Sequence, residues 1–348
     1  VKMESERILG QNHILRHFEN AIRMGKISHA YIINGEEGSG KMNLAIHFAK
    51  ALQCERNNSN KAINEDGERI TVPGTACGQC KSCKQTDSKN QPDIKYITYE
   101  KSGIGVDEIR EQINDDIDIK PYSSPYKIYI VPESEKMTVQ AQNALLKTIE
   151  EPPEYAIIIL LTTNADTFLQ TILSRCVMLN IRPVKEDIIK NQLTSQYGVG
   201  DYEARVAATF SNGNPGKAIK LATSEEFKEL KQYVVGMFMS LEKGGMDIIG
   251  EAIKKTGTFK KQIDEYFSLM RIWFRDILVY KATKEEDQII FQDEYMTIEK
   301  MSQTYSFDDI NDILKAIDLA ESRIKSNVNF DSTIEILLLS IKEKTSGK

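Results

Sequence analysis

Residues 35–42 read Gly-Glu-Glu-Gly-Ser-Gly-Lys-Met, and this stretch matches a phosphate-binding loop at every position except the last. The pattern G-x-x-x-x-G-K-[ST] surrounds phosphate oxygens with backbone N–H groups and a lysine, and its final hydroxyl binds Mg²⁺. Met42 offers no oxygen at that final position. The loop follows the apolar run 30–33 and precedes helical spacing over 42–52, so the sequence predicts a strand–loop–helix unit.

The glycines and the lysine of this loop are the candidate nucleotide-binding residues: Gly35, Gly38, Gly40 and Lys41. A hydrolysing P-loop enzyme also has an acidic motif at the end of a neighbouring strand, where an Asp holds Mg²⁺ and a Glu polarises water. Here Pro132 and Glu133 follow the predicted strand 127–131, so that Asp is missing. We therefore expect no magnesium site and no ATP hydrolysis by this chain, while nucleotide binding stays open.

Strand and helix patterns alternate through residues 1–180. Continuous apolar runs at 127–131 and 156–161 are typical of buried parallel strands, and a helix pattern over 139–150 ends before two prolines. The sequence predicts an α/β domain with a doubly wound parallel sheet. Strand signals stop after residue 181, and we expect a small helical domain over 181–225 and an all-helical domain over 226–348.

The composition is that of a globular protein, with 348 residues, 41% hydrophobic residues and 28% charged residues. A net charge of −6 argues against binding of nucleic acid through bulk electrostatics. No apolar run approaches the roughly 20 residues that span a bilayer, and residues 1–7 are too polar for a secretory signal. We therefore expect a cytoplasmic protein without a membrane partner.

Four of the five cysteines have the spacing of a metal site: Cys54, Cys77, Cys80 and Cys83. A Cys-x2-Cys turn presents two sulfurs from one short loop, and four thiolates satisfy tetrahedral Zn²⁺. An iron–sulfur cluster competes with this interpretation, but residues 84–87 lack the further Cys of a ferredoxin run. The sequence predicts a structural zinc module over 54–83, with a polar insertion at 55–75 and no helix pattern between the ligands.

Arg175 lies in the segment Ser174-Arg175-Cys176, which follows the predicted strand 156–161. Alone, such an arginine could be a surface residue that forms a salt bridge. In a ring of P-loop subunits it could instead reach phosphates bound by a neighbour, where a guanidinium stabilises the charge of the transferred phosphoryl group. We expect Cys176 to pack rather than to react.

Four segments carry a resemblance to a known family: residues 28–31, the cysteine module, residues 143–153 and residues 174–176. Through them the sequence resembles the clamp-loader subunits of bacterial DNA polymerase III, in the AAA+ superfamily. The motor subunits of this family, gamma and tau, keep a P-loop Thr, an acidic Asp-Glu and a sensor Arg. Met42, Pro132 and Gly216 stand at those positions here, so the chain is similar to the non-hydrolysing delta-prime type.

The resemblance implies a subunit that contributes to the hydrolysis of ATP bound by a neighbouring subunit. It implies an AAA+ module and a helical collar within a hetero-pentamer that also contains gamma or tau motor subunits and delta. That assembly belongs to the DNA polymerase III holoenzyme and loads the sliding clamp onto primed DNA. By the same resemblance, Arg175 acts in trans as an arginine finger for the adjacent motor subunit, and the four cysteines bind zinc.

Two other functions stay open from the sequence. The chain could be an active motor ATPase that tolerates Met42 and Pro132. It could also be a zinc-dependent DNA-binding module in which Lys81, Lys84 and Lys89 contact phosphates. Zinc modules that read DNA usually offer a helix to the major groove, and no helix pattern is found between these ligands.

Overall fold

The computed structural model describes residues 8–58, 73–100, 103–243 and 247–346. These residues form two compact units. The first contains the described residues up to Ile189 together with Asn212–Lys217, and the second contains Lys190–Ser211 and the described residues from Ala218 onward. The domain boundaries at 180 and 225 stay predictions. Of the insertion at 55–75, residues 59–72 lie outside the described residues.

In its described residues, the first unit contains a sheet of five parallel strands in the order β2-β3-β4-β1-β5. The strands are β1 Ala30–Asn34, β2 Ile94–Tyr96, β3 Lys127–Val131, β4 Ala156–Thr162 and β5 Val177–Asn180. Strand β1 pairs on both sides, so that Ile32 lies opposite Leu160 of β4 and Met178 of β5. The edge strand β5 is absent from the sequence prediction, because its apolar run is only three residues long.

Eight helices of the described chain lie entirely within the first unit. They are α1 Asn12–Met24, α2 Lys41–Gln53, α3 Glu55–Asn58, α4 Lys81–Asp87, α5 Val106–Ile109, α6 Asp115–Ile117, α7 Val139–Glu150 and α8 Gln170–Leu173. A π-helical turn, Arg110–Asn114, joins α5 to α6, so residues 106–117 form one helical segment with one wide turn.

Both faces of the sheet are buried. Alternate residues of β1, β3, β4 and β5 join two separate hydrophobic clusters, as the period of two requires: in β1, Tyr31 and Ile33 join one cluster, and Ala30 and Ile32 join the other. Residues of α1 and α2 complete the first cluster, and residues of α5 to α8 complete the second. Helices therefore cover both faces, which confirms the predicted doubly wound parallel sheet.

Helix α4 corrects one expectation from the sequence. The sequence between the cysteines has no helix pattern, yet α4 begins between Cys80 and Cys83. The Cys80 Sγ accepts the backbone N–H of Cys83 at 3.4 Å, in the way that a capping side chain starts a helix. Apolar periodicity does not reveal this start, because a cysteine supplies the cap.

The chain beyond residue 181 is helical in its described residues, as predicted. The helices are α9 Glu186–Tyr197, α10 Asp201–Phe210, α11 Pro215–Thr223, α12 Glu225–Lys243, α13 Asp247–Thr258, α14 Ile263–Thr283, α15 Tyr295–Thr304, α16 Phe307–Lys325 and α17 Phe330–Ser346. A capping box starts α16, since the Ser306 Oγ accepts the Asp309 N–H at 3.0 Å. None of the described helices combines the length and apolar character needed to cross a membrane.

A buried tryptophan and a buried carboxylate organise the core of the second unit. Trp273 of α14 stacks on Phe238 of α12, with ring centroids 5.6 Å apart. Asp276 is completely buried, and its Oδ2 accepts the N–H groups of Ile290 and Phe291 at 2.8 Å each. Burial raises the pKa of Asp276, and these two hydrogen bonds oppose the rise. The carboxylate thus holds the segment that follows α14 in place through these two hydrogen bonds.

Replacing Asp276 with alanine should lower the free energy of unfolding by about 2–4 kcal/mol, because two buried N–H groups lose their acceptor. Trp273 is the single tryptophan of the sequence, so its fluorescence during urea unfolding of the full chain reports this unit. Asp318→Ala removes a carboxylate that is 67% exposed and paired with Arg271, and it should cost less than about 1 kcal/mol. Equal losses for the two variants would contradict the role given to Asp276.

Candidate functional sites

The predicted phosphate-binding loop connects β1 to α2, as the strand–loop–helix pattern requires. Gly38 and Gly40 have φ values of +78° and +94°, which L-residues with side chains rarely adopt. The Lys41 Nζ donates to the carbonyl oxygens of Gly35 at 2.5 Å and Glu36 at 2.8 Å. Burial lowers the pKa of Lys41. The lysine therefore binds the carbonyls of its own loop.

A turn formed by Asn212–Lys217 packs directly against this loop. The Gly216 N–H donates to the Gly38 carbonyl at 3.1 Å, and the Asn214 Nδ2 donates to the Glu37 carbonyl at 2.7 Å. A Cβ atom at position 216 would lie 2.5 Å from the Gly38 oxygen. An arginine side chain therefore has no room at position 216 unless the loop moves.

The positions that would hold Mg²⁺ offer no oxygen. Met42 is partly buried and packs against the hydrophobic cluster beneath α2. Pro132 follows β3, and the carboxylate of Glu133 is bonded to the Tyr99 hydroxyl and to Lys136. The hydrogen bond from Tyr99 has the largest effect on Glu133 and lowers its pKa, and the hydrogen bond from Lys136 lowers it further. This carboxylate is thus engaged by its own neighbours.

A cavity of about 260 Å³ borders the loop, and its lining includes Asn34, Ser39, Thr163 and Arg182. The Asn34 Oδ1 and the Ser39 Oγ are buried and have no hydrogen-bond partner among the described residues.

The four predicted metal ligands come together in the structure. The sulfur atoms of Cys54, Cys77, Cys80 and Cys83 all lie within 4.8 Å of one another. The Sγ atoms of Cys77 and Cys83 are 3.9 Å apart, close to the roughly 3.8 Å that tetrahedral Zn–S bonds of 2.3 Å would give. The four thiols therefore have the donor set and the spacing of a closed tetrahedral metal site.

Backbone N–H groups donate hydrogen bonds to these sulfurs, and such bonds stabilise the negatively charged thiolate form. The Cys77 N–H donates to the Cys54 Sγ at 3.3 Å, and the Cys80 N–H donates to the Cys77 Sγ at 3.4 Å. The hydrogen bond from the Cys83 thiol holds the pKa of Cys54 at about 4, and the same bond raises the pKa of Cys83. A divalent cation would replace that shared proton and bind all four cysteines as thiolates.

The three lysines of the cysteine module, Lys81, Lys84 and Lys89, are exposed. Helix α4 has only seven residues, and it buries Ser82, Cys83 and Thr86.

The remaining cysteine, Cys176, lies apart from the cluster, and burial raises its pKa to about 12. This agrees with the expectation that Cys176 packs rather than reacts.

Arg175 follows α8, and 40% of its side chain is exposed. It forms an ion pair with Glu150, the last residue of α7, at 2.9 Å. The salt bridge considered from the sequence is therefore present, and the exposed part of the guanidinium stays accessible to a further anion. Spacing in the sequence predicts neither the contact of Glu150 with Arg175 nor that of Asn214 with the loop, because each joins residues distant in the chain.

Comparisons with known proteins agree with these features. A family model described as "DNA polymerase III, delta subunit" matches residues 10–185, and one described as "DNA polymerase III, delta subunit, C terminal" matches residues 250–343. DNA polymerase III subunit delta′ of Bacillus subtilis is 26% identical over 337 residues, which are 96% of each chain. Subunit tau of the same organism is 34% identical over 221 residues, which are 62% of this chain and 36% of tau.

Among solved structures, a DNA polymerase III gamma subunit-related protein of Thermotoga maritima covers 95% of this chain and 99% of its own, with 21% identity and a TM-score of 0.40. The first family model spans more than half of the 348 residues. The chain therefore belongs to the delta-prime subunit family of bacterial DNA polymerase III, within the clamp-loader-related group that also includes gamma and tau.

Proposed function

We propose that this chain is a non-hydrolysing subunit of a DNA replication clamp loader and that it supplies Arg175 to ATP bound by an adjacent motor subunit. One observation carries the proposal. The positions that would handle ATP within this chain hold Met42, Pro132 and Gly216, whereas Arg175 is kept and is 40% exposed. A chain with this combination can act on ATP bound elsewhere without cleaving its own.

The contacts of the loop support the absence of hydrolysis. Mg²⁺ usually keeps several waters and takes one or two protein carboxylates, and no oxygen is offered at positions 42 and 132. Gly216 leaves no space for a sensor arginine. One such loss could be compensated, but three together remove the metal ligands and the positive charge that phosphoryl transfer needs.

The proposed partners follow from the family. They are gamma or tau motor subunits and delta in a hetero-pentamer, together with the sliding clamp and primed DNA. The second unit would supply collar contacts, because its last three helices expose large apolar side chains of the kind found at interfaces: Met296, Phe307, Leu319 and Ile336. A zinc-dependent DNA-binding function has weaker support, since α4 is short and the chain is acidic.

We propose that the metal of the cysteine cluster is Zn²⁺ in a structural role. The four thiols would fill all positions of a tetrahedral ion, so none is left for a substrate. Cys54 directly follows α2, and the other three ligands lie before or within α4. The ion would therefore connect the end of the P-loop helix to the module.

The purified chain should release no phosphate from ATP above background, because positions 42 and 132 supply no ligand to Mg²⁺. Met42→Thr restores one ligand and should still give no turnover, since Pro132 is unchanged. A turnover of about 1 s⁻¹ for the unmodified chain, which is ordinary for enzymes, would contradict the proposal and support the motor ATPase alternative.

Arg175→Ala should leave assembly intact but lower ATP turnover at the site that this chain completes. We expect a loss of about 10³-fold, the lower end of the range for arginine fingers. The motor subunits of this family resemble the chain in carrying a Ser-Arg-Cys segment. To isolate the site that this chain completes, the complex is reconstituted with motor subunits in which the arginine of that segment is replaced by alanine. Arg16→Ala, an exposed arginine of α1, is the matched control. Unchanged turnover of an assembled Arg175→Ala complex would refute the role of Arg175.

The metal assignment is tested by elemental analysis of the purified chain. We expect about one zinc ion per chain, and Cys80→Ser should lower the zinc content at least about tenfold because it removes a ligand. Cys176→Ser should keep the metal, since Cys176 lies outside the cluster. Bound iron with visible absorption would overturn the assignment in favour of an iron–sulfur cluster.

A further inference from the structure

The guanidinium of Arg175 is held by contacts from two different elements. Its Nη1 donates to the Thr171 carbonyl at 3.0 Å and to the Ser174 Oγ at 3.4 Å, and both of these residues belong to α8 or its C-terminal end. Its Nη2 lies 2.9 Å from the Glu150 Oε1, at the end of α7. Among the described residues, Glu150 therefore anchors the guanidinium to an element outside its own segment.

The location of Glu150 is poorly explained by helix stability. The carboxyl end of a helix carries partial negative charge, so a carboxylate there is unfavourable. Glu150 is nevertheless the last residue of α7. Its ion pair with Arg175 is also half exposed, with 45% and 40% of the two side chains accessible, and such pairs add little to the stability of a fold. The contact therefore calls for a different explanation.

Ordering of the arginine side chain provides that explanation. A free arginine samples many rotamers, and this freedom is lost whenever its guanidinium binds a ligand in one geometry. A guanidinium has five N–H donors, and the three contacts described here leave at least two of them for an anion. Glu150 thus fixes the orientation of Arg175 in the free subunit without using up its donors.

We propose that Glu150 is a positioning residue for Arg175, and that its carboxylate holds the guanidinium ready for phosphate bound by the neighbouring subunit. The inference rests on the proposed function, because it assigns Glu150 a role only if Arg175 acts in trans. Since an arginine finger acts on charge that develops in the transition state, loss of its ordering lowers kcat and leaves KM nearly unchanged.

The experiment compares Glu150→Ala and Glu150→Gln in the same reconstituted complex, with motor subunits that lack their own Ser-Arg-Cys arginine. Glu150→Ala should lower kcat for ATP about 3- to 10-fold with unchanged KM. Glu150→Gln keeps a carbonyl acceptor for the Nη2 group, so it should recover much of that loss. Glu151→Ala, which removes the adjacent exposed carboxylate, is the control and should match the unmodified chain.

The outcomes separate this inference from the proposed function. If Arg175→Ala abolishes turnover while both Glu150 variants behave like the unmodified chain, the positioning role is wrong and the finger stands. If turnover rises in both Glu150 variants, the Glu150 carboxylate competes with phosphate for Arg175. Glu150 would then inhibit the arginine, and the inference would be wrong. If Arg175→Ala itself has no effect, the proposed function fails and the positioning role fails with it.

Discussion

Burial of both faces of a parallel sheet is the constraint on which the first unit depends. The four strands β1, β3, β4 and β5 pack alternate residues into separate clusters, so the polar loops leave from the strand ends. Because the strands are parallel, their carboxyl ends share one edge, and the loop after β1 and the segment after β3 both leave the sheet there. The sheet thus fixes where ATP chemistry would take place. Met42 and Pro132 lie beside this edge, in the first turn of α2 and directly after β3, and the strands keep their register around them.

The phosphate-binding loop is stabilised by contacts within its own unit. Lys41 binds two carbonyls of its own loop, and Asn214 and Gly216 add hydrogen bonds from the neighbouring turn. Each such bond contributes about 0.5–1.5 kcal/mol net. The backbone of Gly216 packs directly against Gly38, which leaves no room for a longer side chain at this position.

The sequence predicts the features that local patterns encode. The continuous apolar runs of β3 and β4 are visible to inspection, as are the capped helix at Ser306 and the spacing of the four cysteines. Strand β5 is missed, because three apolar residues become a strand only when β1 offers its free edge. The start of α4 is missed, because a cysteine caps it. The pairing of Glu150 with Arg175 joins residues 25 positions apart, and no spacing rule encodes it.

The burial of Cys54 at the end of α2 has a consequence for how the subunit responds to ligands. Helix α2 begins at a loop held by the turn at Asn212–Lys217 and ends at the cysteine cluster, so both of its ends are anchored. A ligand shifts a conformational equilibrium only when two states bind it differently. A ligand of the loop would therefore move α2 only if it also broke the contacts at one of these two ends.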